Sequence, residues 1–253
     1  MSFIRPAWPV PKRIHSLLTT RKGGVSTAPY ETLNLGDHVG DQHAKVMANR
    51  QILLNHLPSE PVWLNQTHSV EVSTPSSRAQ SIGKPFEADA AVTNIPNEVL
   101  VIMTADCLPV LFSNTDGSVV GAAHAGWRGL SAGVLENTVN EMLKLAHQST
   151  AADLIAWMGP AIGPDSFEVG EDVLQCFQES GLHDMQKCFS SIPNKPGKYL
   201  ADIYQLARDR LKGVGVNSLF GGEMCTVKDG GRFFSYRRDG VTGRFASLVW
   251  ISQ

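Results

Sequence analysis

Between Ala105 and Arg128 the chain reads ADCLPVLFSNTDGSVVGAAHAGWR, with Cys107 and His124 each at the end of a short apolar run. Apolar runs of this length, bounded by turn residues, form buried strands. The window VLVIMTADCLPVLF is broken at Thr104–Asp106, and the turn TDG separates it from SVVGAAHAG. Three consecutive strands are therefore expected, with Cys107 and His124 where a strand gives way to a turn. Gly126 and Gly129 then allow a tight strand-to-helix turn, and LSAGVLENTVNEMLKLAH predicts a helix. Its N-terminus points back towards His124, where exposed N–H groups favour an anion or a thiolate.

A third residue of similar chemistry, His68, lies earlier in WLNQTHS. A thiolate and two neutral imidazoles suit zinc, and three protein ligands leave the open position that marks a catalytic ion. Water at that position has a pKa of about 7. The spacings, 39 residues from His68 to Cys107 and 17 from Cys107 to His124, match no short zinc motif. Two other readings use the same residues. Cys107 is a buried apolar thiol in one. In the other, Cys107 and His124 form a nucleophile–base pair without metal, the imidazole oriented by Asp106 or Gln66. A four-copper oxidase cluster needs about ten histidines, several in His-x-His pairs, because imidazole suits copper. The eight here are His15, His38, His43, His56, His68, His124, His147 and His183, with no such pair.

Elsewhere the chain mixes strands and helices without regular alternation, which favours a single-domain α+β sandwich over 1–253. Three prolines extend the entry arm, and IHSLLTT reads as a strand. The segment TRKGGVSTAPYETLNLGDHVGD is a long glycine-rich loop that puts Arg21, Asn34 and Asp41 where a ligand could approach closely. Helical spacing of Val46, Asn49, Ile52, Leu53 and His56 predicts a helix over 42–57 with Asp41 as N-cap. PVWLNQTHSVEVST is expected as a strand carrying His68, 75–88 as irregular, and ADAAVTN as a short strand holding Asp89. LIAWM reads as a strand, SFEVGEDVLQCFQESG as a strand turn and helix, 183–198 as loop. KYLADIYQLARDRLKGVG predicts an amphipathic helix, and SLFGGEMCTV, FFSYRRD and RFASLVWIS three closing strands. In SYRRDGVTGR, Arg237, Arg238 and Arg244 with glycines form an anion or substrate clasp, or salt bridges closing the sheet.

A net charge of −2 argues against a nucleic-acid binder held by a basic face. No apolar window approaches the ~20 residues of a membrane span, and the N-terminus lacks a signal-peptide core. Cys107, Cys176, Cys188 and Cys225 form no CxxC pair, so a cytoplasmic protein with reduced thiols is expected.

Taken together, RKGGVSTAPYETLNLG, NQTHS, ADCLPVL, HAGWRG, GPAIGP, FEVG and SYRRDGVTGR resemble the YfiH-like, laccase-domain family of bacteria. The resemblance runs from about residue 5 to residue 250. Thr67 and Ser69 depart from the family's more usual QVHG, with His68 in place. The resemblance implies a layered α/β/β/α sandwich, cysteine-hydrolase-like, and a zinc site (copper being the alternative) at His68, Cys107 and His124, which would also be the catalytic residues. It also implies purine nucleosides and phosphate as the small-molecule partners. The reactions would be phosphorolysis of adenosine, inosine, guanosine and methylthioadenosine, and deamination of adenosine. On that reading Arg21, Arg50, Arg237 and Arg238 are phosphate candidates, and Asn34 and Gln66 candidates for sugar or base. Trp127 either stacks on the purine or packs in the core. The competing functions are a copper-dependent polyphenol oxidase, a Cys–His hydrolase of a cell-wall-related substrate, and a ligand-binding partner protein.

Overall fold

A computed structural model describes residues 3–80, 86–146, 148–182 and 185–253. Along the chain run β1 (Phe3–Ile4), β2 (Ile14–Thr19), α1 (His43–Leu54), β3 (Leu64–Asn65), β4 (Val72–Ser73), α2 (Pro75–Gln80) and β5 (Phe86–Glu87). Then come β6 (Ala90–Thr93), β7 (Leu100–Thr104), β8 (Leu108–Asn114), β9 (Val120–Ala125), α3 (Trp127–Ala132), α4 (Val134–Leu145) and β10 (Leu154–Met158). The remainder is β11 (Glu168–Gly170), α5 (Glu171–Glu179), β12 (Phe189–Ser191), β13 (Lys198–Ala201), α6 (Ile203–Gly213), β14 (Ser218–Gly221), α7 (Tyr236–Asp239) and β15 (Phe245–Ile251).

Two sheets dominate. One is antiparallel in the order β1-β2-β15-β7. The other has six strands, β14-β10-β8-β9-β6-β4, with parallel pairs at both edges. Because side chains alternate along a strand, neighbouring residues enter different cores. Leu18, Ile102 and Val249 of the first sheet meet Leu111, Ala122 and Trp157 of the second. Their neighbours Leu17, Val101 and Leu248 face outward onto Leu53 of α1 and Leu33 and Leu35 of the long loop. On the far side, Val110, Ala123 and Ala156 pack against Val139 and Met142 of α4 and Leu206 of α6. The layers are helix, sheet, sheet, helix, as expected. Burying each leucine or isoleucine contributes about 2 kcal/mol.

Several local expectations are corrected. The strand proposed around His68 is two two-residue pieces, β3 and β4, because His68 takes φ 62. Residues 75–80 are helical, their start held by Thr74, and the irregular reading of 81–85 lies outside the described residues. The helix after His124 is two helices, α3 and α4, parted at Gly133 with φ 103. Within 183–198, 185–188 form a 3₁₀ turn and 189–191 a strand, while 183–184 lie outside the described residues. KYLA is strand β13, since Asp202 caps α6 by accepting from the Gln205 amide. FFSYRRD holds no strand; Ser235 caps the short helix α7, accepting from the Arg238 amide. Cys225, expected in a strand, lies past the end of β14 and joins Ala161 in an isolated bridge.

Asp41 does not cap α1. Its carboxylate accepts from Ser26 Oγ at 2.6 Å and Asn34 Nδ2 at 3.0 Å, within the long loop. That loop is tied down by Asn49 of α1, which is fully buried. The Asn49 amide donates to Ser26 Oγ and to the carbonyls of Thr32 and Asn34, and its oxygen accepts from the Val25 amide. Asn49→Ala strands these buried groups. It is expected to lower stability by about 3 kcal/mol, seen as a reduced midpoint at unchanged slope in urea denaturation. A loss under about 0.5 kcal/mol would show that the loop has other anchors.

Candidate metal centre

Strand register brings the three ligands together. β8 pairs with β9 through Leu108↔Ala125 and Pro109↔His124, so Cys107, just before β8, lies beside the end of β9. β6 pairs with β9 on the other side through Ala90↔Ala123, and the ladder continues as the His124 amide donates to the Asp89 carbonyl at 2.6 Å. His68 arrives from the connection between β3 and β4. The Asp89 carboxylate accepts there from the amides of Thr67, His68 and Ser69 at 3.1, 2.9 and 2.6 Å, and from Ser69 Oγ at 2.8 Å. These amides curl around one anion, which is why the segment abandons extended geometry at His68.

The donor atoms of His68, Cys107 and His124 lie within 4.8 Å of one another. Cys107 Sγ is 3.7 Å from His68 Nε2, and the two imidazoles stand 4.8 Å apart at 70°. Zinc bonds of 2.0–2.3 Å in a tetrahedron separate their donors by roughly 3.5 Å, so the residues fit the ion. Among the described residues this is the one such group. His124 Nδ1 is 2.7 Å from Asp89 Oδ1, which leaves Nε2 for an ion. A carboxylate behind a ligating imidazole fixes its tautomer and raises its basicity. This partner is Asp89, set by the β6–β9 register, and neither Asp106 nor Gln66. The Asp106 oxygens accept from Thr226 Oγ1 and the Arg237 amide. Gln66 exchanges two hydrogen bonds of 2.9 Å with the Met103 backbone.

The electrostatics follow from this geometry. Burial disfavours the Asp89 charge, yet the His124 ring and Ser69 outweigh it and hold the carboxyl at about 2. Burial likewise opposes charge on His124, but Cys107 and Asp89 bring it up to about 9. Burial alone would raise the Cys107 thiol; His124 and His68 bring it down to about 6. Gly126 completes the packing. A Cβ there would stand 2.8 Å from His68 Cδ2 and 3.1 Å from Cys107 Sγ.

The triad lies in the wall of a cavity of about 460 Å³. Gln66, Trp127 and Arg237 line it too, with Met103, Ile162, Phe167 and Ile203 as its apolar surface. Four expected binding residues do not line it. Arg21 donates to the Glu31 and Gly230 carbonyls. Arg50 donates to Leu35 and stacks 3.9 Å over Trp63. Arg238 is spent on Thr226, Phe233 and Asp239. Asn34 is buried and braces Gly36 and the Arg244 amide. His38, Arg128 and Tyr236 also line the cavity, beyond the residues expected from sequence. The GDHVGD signature, a histidine between two Gly-Asp pairs, could have pointed to the first.

The model of a family described as multi-copper polyphenol oxidoreductase laccase matches residues 15–252. A purine nucleoside phosphorylase of Haemophilus influenzae is 49% identical, covering 99% of this chain and 100% of its own. The purine nucleoside phosphorylase YfiH of Escherichia coli is 48% identical, covering 98% of each. A crystal structure of a Neisseria meningitidis protein superposes with TM-score 0.91 at 45% identity over the whole of both chains.

Two outcomes test the centre. In chelator-treated protein, alkylation of Cys107 by iodoacetamide, followed on its own peptide by mass spectrometry, should lose rate as pH falls through about 6. Asp89→Asn removes the charge that sustains His124 and should move that inflection upward; an inflection near that of an ordinary thiol in the unaltered chain would refute the ion pair. Gly126→Ala should weaken zinc affinity by about tenfold or more with little change in the denaturation midpoint, and equal affinity would show that the wall yields.

Proposed function

This chain belongs to the multi-copper polyphenol oxidoreductase laccase family, and from that premise we propose that it is a zinc-dependent purine nucleoside phosphorylase. The observation that carries the reading is the convergence of one thiol and two imidazoles on the wall of a nucleoside-sized cavity. Its volume falls in the ~300–1,000 Å³ range of small-molecule sites. The proposed substrates are adenosine, inosine, guanosine and methylthioadenosine with phosphate, and adenosine also undergoes deamination.

His68, Cys107 and His124 would hold the ion. When bound, zinc supplies a Lewis acid that brings the pKa of water to about 7. Asp89 keeps the His124 proton on Nδ1 and aims Nε2 into the site. Gln66, locked to Met103, shapes the floor behind His68. The apolar wall of Phe167, Ile203 and Ile162 excludes water from the face a purine would lie on. Arg237, exposed at the rim and tethered to the Ser166 and Glu168 carbonyls, offers positive charge to the leaving base. Copper is the alternative ion for the same three ligands. We place the protein in the cytoplasm: its four cysteines are free thiols, and no helix among the described residues is long and apolar enough to cross a membrane.

The test is metal-quantified protein assayed with adenosine and inosine, with and without phosphate, following base release and deamination separately. Cys107→Ala should lose bound zinc and lower both turnovers by about 100-fold or more. Phosphorolysis that survives in the variant would reject the assignment. Full activity after removal of the ion would instead support the metal-free Cys107–His124 pair, and copper-dependent oxygen uptake with a phenol would favour the oxidase.

A further inference from the structure

The partly buried arginines of this protein are mostly neutralised. Arg78 pairs with Glu98, Arg210 with Glu136 and Arg238 with Asp239. Arg50 and Arg208, which also have no carboxylate partner, lie outside the cavity, the first with its guanidinium over Trp63 and the second donating to the Gly221 carbonyl. Arg244 is different. It is half-buried in the cavity wall, and no carboxylate among the described residues comes within ion-pair distance. Its backbone is clamped: the amide donates to Asn34 Oδ1 at 2.9 Å and the carbonyl accepts from Leu35 at 3.1 Å. Its stem lies against Gly36, where a Cβ would come within 2.8 Å. Nη1 donates to the Thr242 and Gly243 carbonyls, while Nε and Nη2 have no hydrogen-bond partner among the described residues.

A second unpaired polar group stands next to it. Thr104 pairs with Phe245 in the β7–β15 ladder, one residue from Arg244, and lines the same cavity. Its hydroxyl is buried and has no hydrogen-bond partner among the described residues. The carboxylate in the cavity wall, Asp106, is engaged through both oxygens by Thr226 and the Arg237 amide. Cys107, the other anion nearby, forms no hydrogen bond with Arg244 and would be held by an ion at the triad. A desolvated cation without counter-ion and an orphaned hydroxyl together are costly unless a ligand satisfies both.

We infer that Arg244 and Thr104 form the subsite for the phosphate co-substrate, inside the cavity and beside the metal triad. The assignment rests on the phosphorylase reading. Guanidinium Nε and Nη2 form the planar fork that grips two phosphate oxygens, and Thr104 Oγ1 donates to a third. Phosphate held there attacks C1′: the new C1′–O bond forms as the C1′–N9 bond breaks. The electron pair departs with the purine, which takes up the proton released by hydrogen phosphate. Products are ribose 1-phosphate and the free base.

The experiment measures binding of inorganic phosphate by calorimetry and, separately, the phosphate and inosine KM values in zinc-loaded protein. Arg244→Gln should weaken phosphate binding about 10- to 100-fold, with the inosine KM held within about twofold; Arg244→Lys should recover part of the loss. Thr104→Val, which removes an unpaired hydroxyl at constant volume, should weaken phosphate by about threefold or more and keep the assignment testable should Arg244→Gln misfold. Equal phosphate affinity in Arg244→Gln and the unaltered protein overturns the subsite, as does a parallel rise in both KM values. So does a loss confined to Arg237→Gln, or, where Arg244→Gln misfolds, unchanged affinity in Thr104→Val. If the unaltered protein binds phosphate through these residues yet releases no base, the phosphorylase reading fails and the subsite stands. Phosphorolysis unaffected by either substitution has the opposite meaning: the phosphorylase stands and the subsite falls.

Discussion

One carboxylate, Asp89, holds the site together. It is fully buried, and it gathers three successive amides from the His68 segment while binding the ring of His124. An unpaired carboxylate at such a depth would be far too costly to remain charged. Four N–H groups and the hydroxyls of Ser69 and Thr67 surround it instead, and it remains an anion. The contact also sustains the left-handed backbone of His68, a conformation that costs of order 1 kcal/mol for a residue with a side chain. Two residues of the triad that are distant in sequence thus share a single electrostatic anchor, and the third, Cys107, is brought to them by strand register.

The location of the cavity follows from how the chain passes between sheets. β7 belongs to the four-stranded sheet and β8 to the six-stranded one, and the residues between them, 105–107, make the crossing. Ligands and cations supplied by either sheet meet at this seam. β9 contributes His124 from one side; the β15 end contributes Arg244 from the other, next to Thr104. A crossing also explains why Asp106 takes φ 95 and why its carboxylate is consumed locally, bonding Thr226 and the start of α7.

Apolar runs made much of this legible. The strands over VLVIM, LPVLF and VVGAAHA are where hydrophobicity placed them, with Cys107 and His124 at their ends. What stayed hidden depended on contacts between distant residues. The extended reading of NQTHSVEV failed because Asp89, some twenty positions later, collects its amides. Arg237 and Arg238 are adjacent and alike in sequence, yet one faces the cavity and the other satisfies carbonyls at 226 and 233. FFSYRRD carries enough aromatic character to suggest a strand, but Ser235 finds an amide three residues on and begins a helical turn. Asn34, expected as a ligand contact, is instead a brace for Arg244.

Strand β15 lies between β2 and β7 at the middle of its sheet, although it follows both by well over a hundred positions in the chain. Synthesis proceeds from the N-terminus, so a nascent polypeptide presents its thiol and both imidazoles long before the strand that walls them in has left the ribosome. The guanidinium of Arg244, beside β15, is made last of these groups. The order in which these groups become available is thereby written into the topology: the thiol and both imidazoles first, β15 and Arg244 afterwards.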